Sequence, residues 1–220
     1  MTLPAKYKMF IPGPTDRMII MGQAGTGKST LGREIYTGVP KVLVVDPKRE
    51  IKLDKANYVE EAKDLAGALK RSDRVVWHWP ATTLDNWDEI DAALWTIFEK
   101  GRKRLLHIAE LNLLVKGPMS APRGLRAIYC QGRSLEIAVC AECQRPSGVP
   151  IYTMSECQKF AKFFLAMDAD QKRAAEWIGK EVLEPKDYPE HSAHENRHSF
   201  WFLDIRKPPA RQYTLALGGG

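Results

Sequence analysis

Apolar residues fall along this chain in short, almost unbroken runs, separated by stretches with helical spacing. Residues 17–21, 41–46, 74–80, 105–110, 136–142 and 159–167 are such runs, too short for buried helices and rich in Val, Ile, Leu and Phe. Near-continuous apolar runs bounded by polar turns predict strands buried on both faces, as in a parallel sheet. In the run at 74–80, Trp77 and Trp79 fall on one face and Pro80 ends the strand. Helical spacing lies between the runs. Residues 30–36 begin a helix, and residues 60–71 place Ala62, Leu65, Ala66 and Leu69 on one face. Residues 86–101 carry Trp87, Ile90, Ala93, Leu94, Ile97 and Phe98 at helical intervals; residues 125–132 make a shorter helix, and residues 170–183 turn Ala174, Trp177 and Ile178 inward. Strand and helix alternate, which predicts an α/β fold with a mainly parallel central sheet flanked by helices. Residues 199–204 and 212–217, joined by a Pro-Pro turn, predict a C-terminal β-hairpin.

No repeat or linker interrupts this order. The expected division is an N-terminal arm at 1–16, one domain at 17–217 and a frayed tail at 218–220. The arm holds Pro4, Pro12 and Pro14 in a basic apolar mix and is expected to dock on a neighbour rather than fold alone. A chain of 220 residues suffices for one sizeable core. No apolar run is long enough for a transmembrane segment, and the first residues lack the apolar core of a signal peptide, so a secreted location is not expected. Thirty-three Lys and Arg against 27 Asp and Glu give a formal charge of +6, compatible with a polyanionic partner. Cys140 and Cys143 form a C-x-x-C pair, a spacing open to zinc or redox chemistry. No second pair follows, and His191, His194 and His198 lie far downstream. Reduced core thiols are the expected reading. The basic turn at 100–104 is expected to be a solvated loop before a strand.

The candidate chemistry begins at Gly22-Gln23-Ala24-Gly25-Thr26-Gly27-Lys28-Ser29, which fits G-x-x-x-x-G-K-[ST] between a strand and a helix. Glycines let such a loop curl with its N–H groups inward, and the following helix N-terminus, from Thr30 on, favours phosphate. Lys28 is expected to reach the β- and γ-phosphates of ATP, and the Ser29 hydroxyl to ligate Mg²⁺. Asp46 ends the second strand, where α/β sheets place ligands. The run at 105–110 ends in Ala109-Glu110, where a Walker B strand ends Asp-Glu. Glu110 suits a catalytic carboxylate that orients or deprotonates water. With alanine at 109, Mg²⁺ depends on Ser29, the phosphates and Glu110, or Asp46 helps, or hydrolysis is weak, or the alanine is a substitution in this chain. Gln144, at a later strand tip before Arg145-Pro146, suits a γ-phosphate sensor.

The P-loop, Asp46-Pro47-Lys48-Arg49-Glu50, the strand ending at Glu110 and Gln144-Arg145-Pro146 stand in an order that resembles the FtsK/HerA superfamily of DNA-pumping ATPases. The Asp-Pro-Lys stretch and the Gln-Arg-Pro turn carry the likeness; Cys143 stands where the family commonly has threonine. The resemblance covers roughly residues 15–217 and implies a RecA-like (ASCE) P-loop NTPase. A bare motor of this size is most similar to the genome-packaging ATPases of tailless, internal-membrane viruses and related phages. That implies a homo-oligomeric, hexameric ring around double-stranded DNA, virion vertex or portal partners, and a host-cytoplasmic or virion-associated location. It also implies a positive residue acting in trans, for which Arg133 is the first candidate and Arg126 and Lys162 are alternatives. Lys116 and Arg123 are the candidates for gripping the DNA backbone. Two other readings stay open: a nucleotide-dependent virion or secretion assembly protein with little turnover, and a small-molecule kinase.

Overall fold

The computed structural model describes residues 5–79, 86–183 and 197–216. The tail at 218–220, Pro80, His191 and His194 lie outside the described residues. Nine strands form one sheet among them, in the order β3-β4-β2-β5-β6-β1-β7-β8-β9. They are β1 Arg17–Met21, β2 Val42–Val45, β3 Asn57–Val59, β4 Arg74–Trp77, β5 Arg104–Ile108, β6 Ile137–Cys143, β7 Lys159–Lys162, β8 Arg197–Asp204 and β9 Arg211–Ala216. From β3 to β7 every pairing is parallel. β8 and β9 add the antiparallel hairpin at the edge. The helices are α1 Lys28–Thr37, α2 Leu65–Arg71, α3 Trp87–Lys100, α4 Arg123–Gln131, α5 Tyr152–Ser155 and α6 Asp168–Ile178.

Strand periodicity sorts the core into two layers. Met18, Ile20, Val42, Val44, Leu105, Ala138 and Cys140 face α1, with Leu31, Ile35 and Tyr36 above them. Ile19, Met21, Leu43, Val45, Leu106, Ile108, Val139, Ala141 and Cys143 face the opposite layer, built from the apolar sides of α2 to α6. Successive side chains of a strand point to opposite faces, so Cys140 and Cys143 lie on opposite sides of the sheet. They share neither a metal nor a disulfide; all four cysteines are free thiols, and only Cys130, on α4, is exposed. Burial pushes the Cys140, Cys143 and Cys157 thiols up.

Several boundaries differ from those expected. β3 is only three residues long and half-polar, too short for its own hydrophobic signal. β7 stops at Lys162, because the chain then bends toward the P-loop, where the Phe163 N–H donates to the Met21 carbonyl at 2.7 Å and the Gln23 N–H to the Phe164 carbonyl at 3.0 Å. The basic turn is not wholly solvated. Arg104 is buried and donates to the carbonyls of Val42, Leu69, Ser72 and Asp73. The arm docks on its own chain: Phe10 is buried edge-on against Phe202 and Tyr213. Arg206 in the hairpin turn grips Asp16 with two bonds of 3.0 Å.

Candidate nucleotide site

The sheet order sets the site. β1, β6 and β5 are adjacent and parallel, so their C-terminal tips open on one side. There the P-loop, Ala109-Glu110 and Gln144 meet around a cleft of about 270 Å³ lined by Ala24, Gly25, Gly27, Lys28, Ser29, Thr30, Lys48, Ala109, Glu110, Glu142 and Gln144. A second cleft of about 420 Å³ continues from Ser29 and Glu142 toward Asp46 and Arg33.

The P-loop leaves β1 at Gly22, whose N–H donates to the Cys143 carbonyl at 3.1 Å. It enters α1 through Gly27, at φ +103°, a left-handed conformation that disfavours any side chain. The first-turn N–H groups of α1 have no acceptor within the helix, and Lys28, Ser29 and Thr30 line the cleft. Thr26 Oγ1 and Lys28 Nζ both donate to the Gln23 carbonyl at 2.8 Å, so the loop is braced on itself. Lys28 is buried, and that burial holds its ammonium below the usual lysine range, opposed by Glu142 and Glu110.

Glu110 stands at the tip of β5, buried. Its Oε2 accepts from Gln144 Nε2 and from Lys48 Nζ, the latter at 3.5 Å. Its Oε1 is buried with no partner among the described residues. Desolvation raises the Glu110 carboxyl above the usual range, against the opposing pull of Lys48, Gln144 and Lys28. Gln144 is placed from behind by Asn112, whose Oδ1 accepts from the N–H groups of Gln144 (2.9 Å) and Arg145 (3.1 Å). Asp170, buried in the first turn of α6, accepts from Arg145 Nε at 2.8 Å and from the Ser147 N–H at 2.9 Å.

Asp46 lies at the tip of β2, with both oxygens engaged by its own loop: Oδ1 accepts from the Lys48 N–H at 3.2 Å and Oδ2 from the Ile51 N–H at 2.8 Å. It shapes the Asp-Pro-Lys turn that presents Lys48 to Glu110, and it reaches only the second cleft. Arg133 is not brought to the P-loop of its own chain. It follows α4 and precedes β6, at the opposite end of the sheet, with its guanidinium donating to the Glu156 carbonyl at 3.2 Å and 3.6 Å from the Glu156 carboxylate. Arg126 is exposed on α4. Lys162 is fully buried in β7 beside Met21, a placement that corrects its candidacy for reaching a neighbouring subunit.

Three contributors escape a sequence reading. Asn112 and Asp170 hold the Gln-Arg-Pro turn through contacts across 32 and 23 residues, invisible to local pattern. The third is Glu142, inside β6 and 2% exposed. Its Oε2 accepts from Ser29 Oγ at 2.8 Å, and His107 Nε2 lies 3.2 Å from its Oε1. The available signal was an acid in an otherwise apolar strand, since a buried carboxylate requires partners.

No protein-family model matches the chain, and no curated protein matches it by sequence. Solved structures are similar to it in fold. The genome packaging NTPase B204 from Sulfolobus turreted icosahedral virus 2, in complex with ATP-gammaS, superposes with a TM-score of 0.69 at 14% identity, over 93% of this chain and 99% of that one. B204, the DNA-packaging ATPase from Sulfolobus turreted icosahedral virus, gives 0.66 at 16% identity, over 91% and 98%. The pCW3 conjugation coupling protein TcpA gives 0.53 at 15% identity, over 92% of this chain and 61% of that one. The fold is that of the RecA-like P-loop NTPases.

Proposed function

We propose that this chain is an ATPase that drives double-stranded DNA, a viral genome-packaging motor working as a homo-oligomeric, hexameric ring. One observation carries the enzymatic part. A buried carboxylate with an unengaged oxygen, Glu110, faces a cleft whose opposite wall is a self-braced P-loop. The packaging output rests on the likeness in fold to B204, together with the Asp46-Pro47-Lys48 and Gln144-Arg145-Pro146 turns that close the same cleft.

In this reading the phosphates of ATP lie along the P-loop N–H groups and the first turn of α1. Lys28 leaves the Gln23 carbonyl for the β- and γ-phosphates. Burial lowers its affinity for the proton, and the fields of Glu142 and Glu110 oppose that shift. Glu110 is the acceptor that orients the attacking water and takes its proton. The raised affinity of this carboxyl for protons suits that step. Gln144 Nε2 now rests on Glu110, and a γ-phosphate competes for it. Arrival of ATP therefore releases Glu110 and moves the Gln-Arg-Pro turn, which Asp170 ties to α6. The donor set fits Mg²⁺: Ser29 Oγ opens on the cleft beside buried carboxylates, and Mg²⁺ favours one or two such ligands completed by phosphate oxygens. When bound with ATP it neutralises charge on the transferred phosphoryl group. The cation acting in trans would come from a neighbouring subunit, from Arg133 or Arg126. Lys116 and Arg123 flank a tight turn that carries the exposed Met119 and are the contacts offered to the DNA backbone.

The deciding measurement is steady-state ATP hydrolysis with and without duplex DNA, at low and high salt, for the chain and for Lys28→Ala. DNA-stimulated turnover that fades with salt and vanishes in Lys28→Ala is expected. Ala109, at the Walker B aspartate position, favours a second reading, a nucleotide-dependent assembly protein. Tight ATP binding with no turnover, with or without DNA, would select it.

A further inference from the structure

The position that holds the Mg²⁺-positioning acid of a Walker B strand is Ala109 here, and Asp46 is engaged by its own loop. We infer that Glu142, one strand over, carries the metal-holding role that position 109 leaves vacant, paired with Ser29. The inference rests on the nucleotide reading above. β5 and β6 run in register with Ile108 beside Ala141, so the next pair sets Ala109 beside Glu142. Glu142 has the parity of Cys140 and so faces α1 and the P-loop, as an aspartate at 109, with the parity of Leu105, would. Its strand is the immediate neighbour of β1, so the carboxylate starts closer to the P-loop, and the extra methylene of Glu over Asp is accommodated beside the methyl of Ala109.

The surroundings are built for this group. Ser29 Oγ donates to it at 2.8 Å, joining a hydroxyl and a carboxylate as the two protein ligands of a nucleotide-bound Mg²⁺. Gly32, one turn along α1 from Ser29, keeps the space open: a Cβ there would sit 2.3 Å from Glu142 Oε1 and 2.9 Å from His107 Cε1. His107 Nε2 lies 3.2 Å from Oε1, close but outside hydrogen-bonding geometry, and the Tyr36 ring packs 4.9 Å from the His107 ring. Both Glu142 and Glu110 line the cleft that contains the P-loop. Among the described residues no group of three or more His, Cys, Asp or Glu forms a metal site by itself. The cation site is therefore complete only with phosphate present.

The test is Mn²⁺ binding followed by electron paramagnetic resonance, with ATPγS as nucleotide, alongside ATPγS affinity measured in EDTA. The unaltered chain should bind Mn²⁺ only with nucleotide. Glu142→Gln should weaken Mn²⁺ about tenfold or more while ATPγS affinity in EDTA stays within about threefold, and adding Ala109→Asp should restore the metal. Ala109→Asp alone should leave Mn²⁺ affinity within about threefold, because the role is already filled. Unchanged Mn²⁺ binding in Glu142→Gln would overturn the inference. So would a tenfold or greater gain from Ala109→Asp alone, a readout that does not require Glu142→Gln to fold. Failure of the unaltered chain to bind ATPγS in either condition would instead overturn the nucleotide reading.

Discussion

At the scale of single residues, Glu110 joins two properties that usually conflict. Its folded-state carboxyl is held above its unfolded value, chiefly by desolvation. For a raised carboxyl, the buried charge costs stability above the folded pKa, and the cost is relieved as pH falls through it. Glu110→Gln removes that charge at neutral pH. Thermal unfolding should show the variant at least as stable as the parent, and the difference should shrink toward acid pH. Turnover in the same variant should fall about 100-fold or more with ATP still bound. An inactive but less stable Glu110→Gln would mean that the carboxylate serves the fold. The limits of sequence reading lie at this scale too. The P-loop and Glu110 are legible because their chemistry is contiguous or sits at a strand tip. Glu142 is not, because inside β6 it reads as one polar interruption of a buried strand. Its meaning appears only when the register sets it beside Ala109.

Elements are held in place here by buried cations that no periodicity reveals. Arg17, at the start of β1, is fully buried and donates to the carbonyls of Thr15, Ile128, Tyr129 and Ile137. Two of these belong to the last turn of α4, so one side chain caps that helix and ties it to β1 and β6. Arg17→Met keeps much of the volume but strands several carbonyls, and urea denaturation should show a loss of about 2–4 kcal/mol. ATP affinity of the folded fraction should be nearly unchanged, since Arg17 lies at the end of β1 remote from the P-loop. The strands and long helices were visible in hydrophobic periodicity because each buries a regular apolar face. β3 was not, having three residues, nor was the end of β7, where Phe163 donates to the Met21 carbonyl and the Phe164 carbonyl accepts from Gln23 of the P-loop.

At the scale of the whole molecule, the charge of +6 and the Lys116–Arg123 turn predict a salt-sensitive, sequence-independent grip on DNA. Lys116→Ala with Arg123→Ala should abolish stimulation of hydrolysis by duplex DNA while leaving the basal rate within about twofold, because neither residue lines the cleft. Mutations that reduce basal turnover as well would place the turn in the catalytic cycle rather than on the DNA. Lys116 also lies 4.5 Å from the Trp87 ring centroid, so its loss should leave a measurable change in tryptophan fluorescence. Subunit number is a property that one chain does not encode locally; under the proposed function, groups acting in trans would complete the site across an interface. The thiols offer a route to it. Cys140, Cys143 and Cys157 are shielded and hard to ionise, whereas Cys130 is open on α4. A maleimide dye at neutral pH should therefore attach once per subunit without mutagenesis. Counting stepwise photobleaching in single DNA-bound particles would then read the stoichiometry of the assembly from a chemistry the chain already carries.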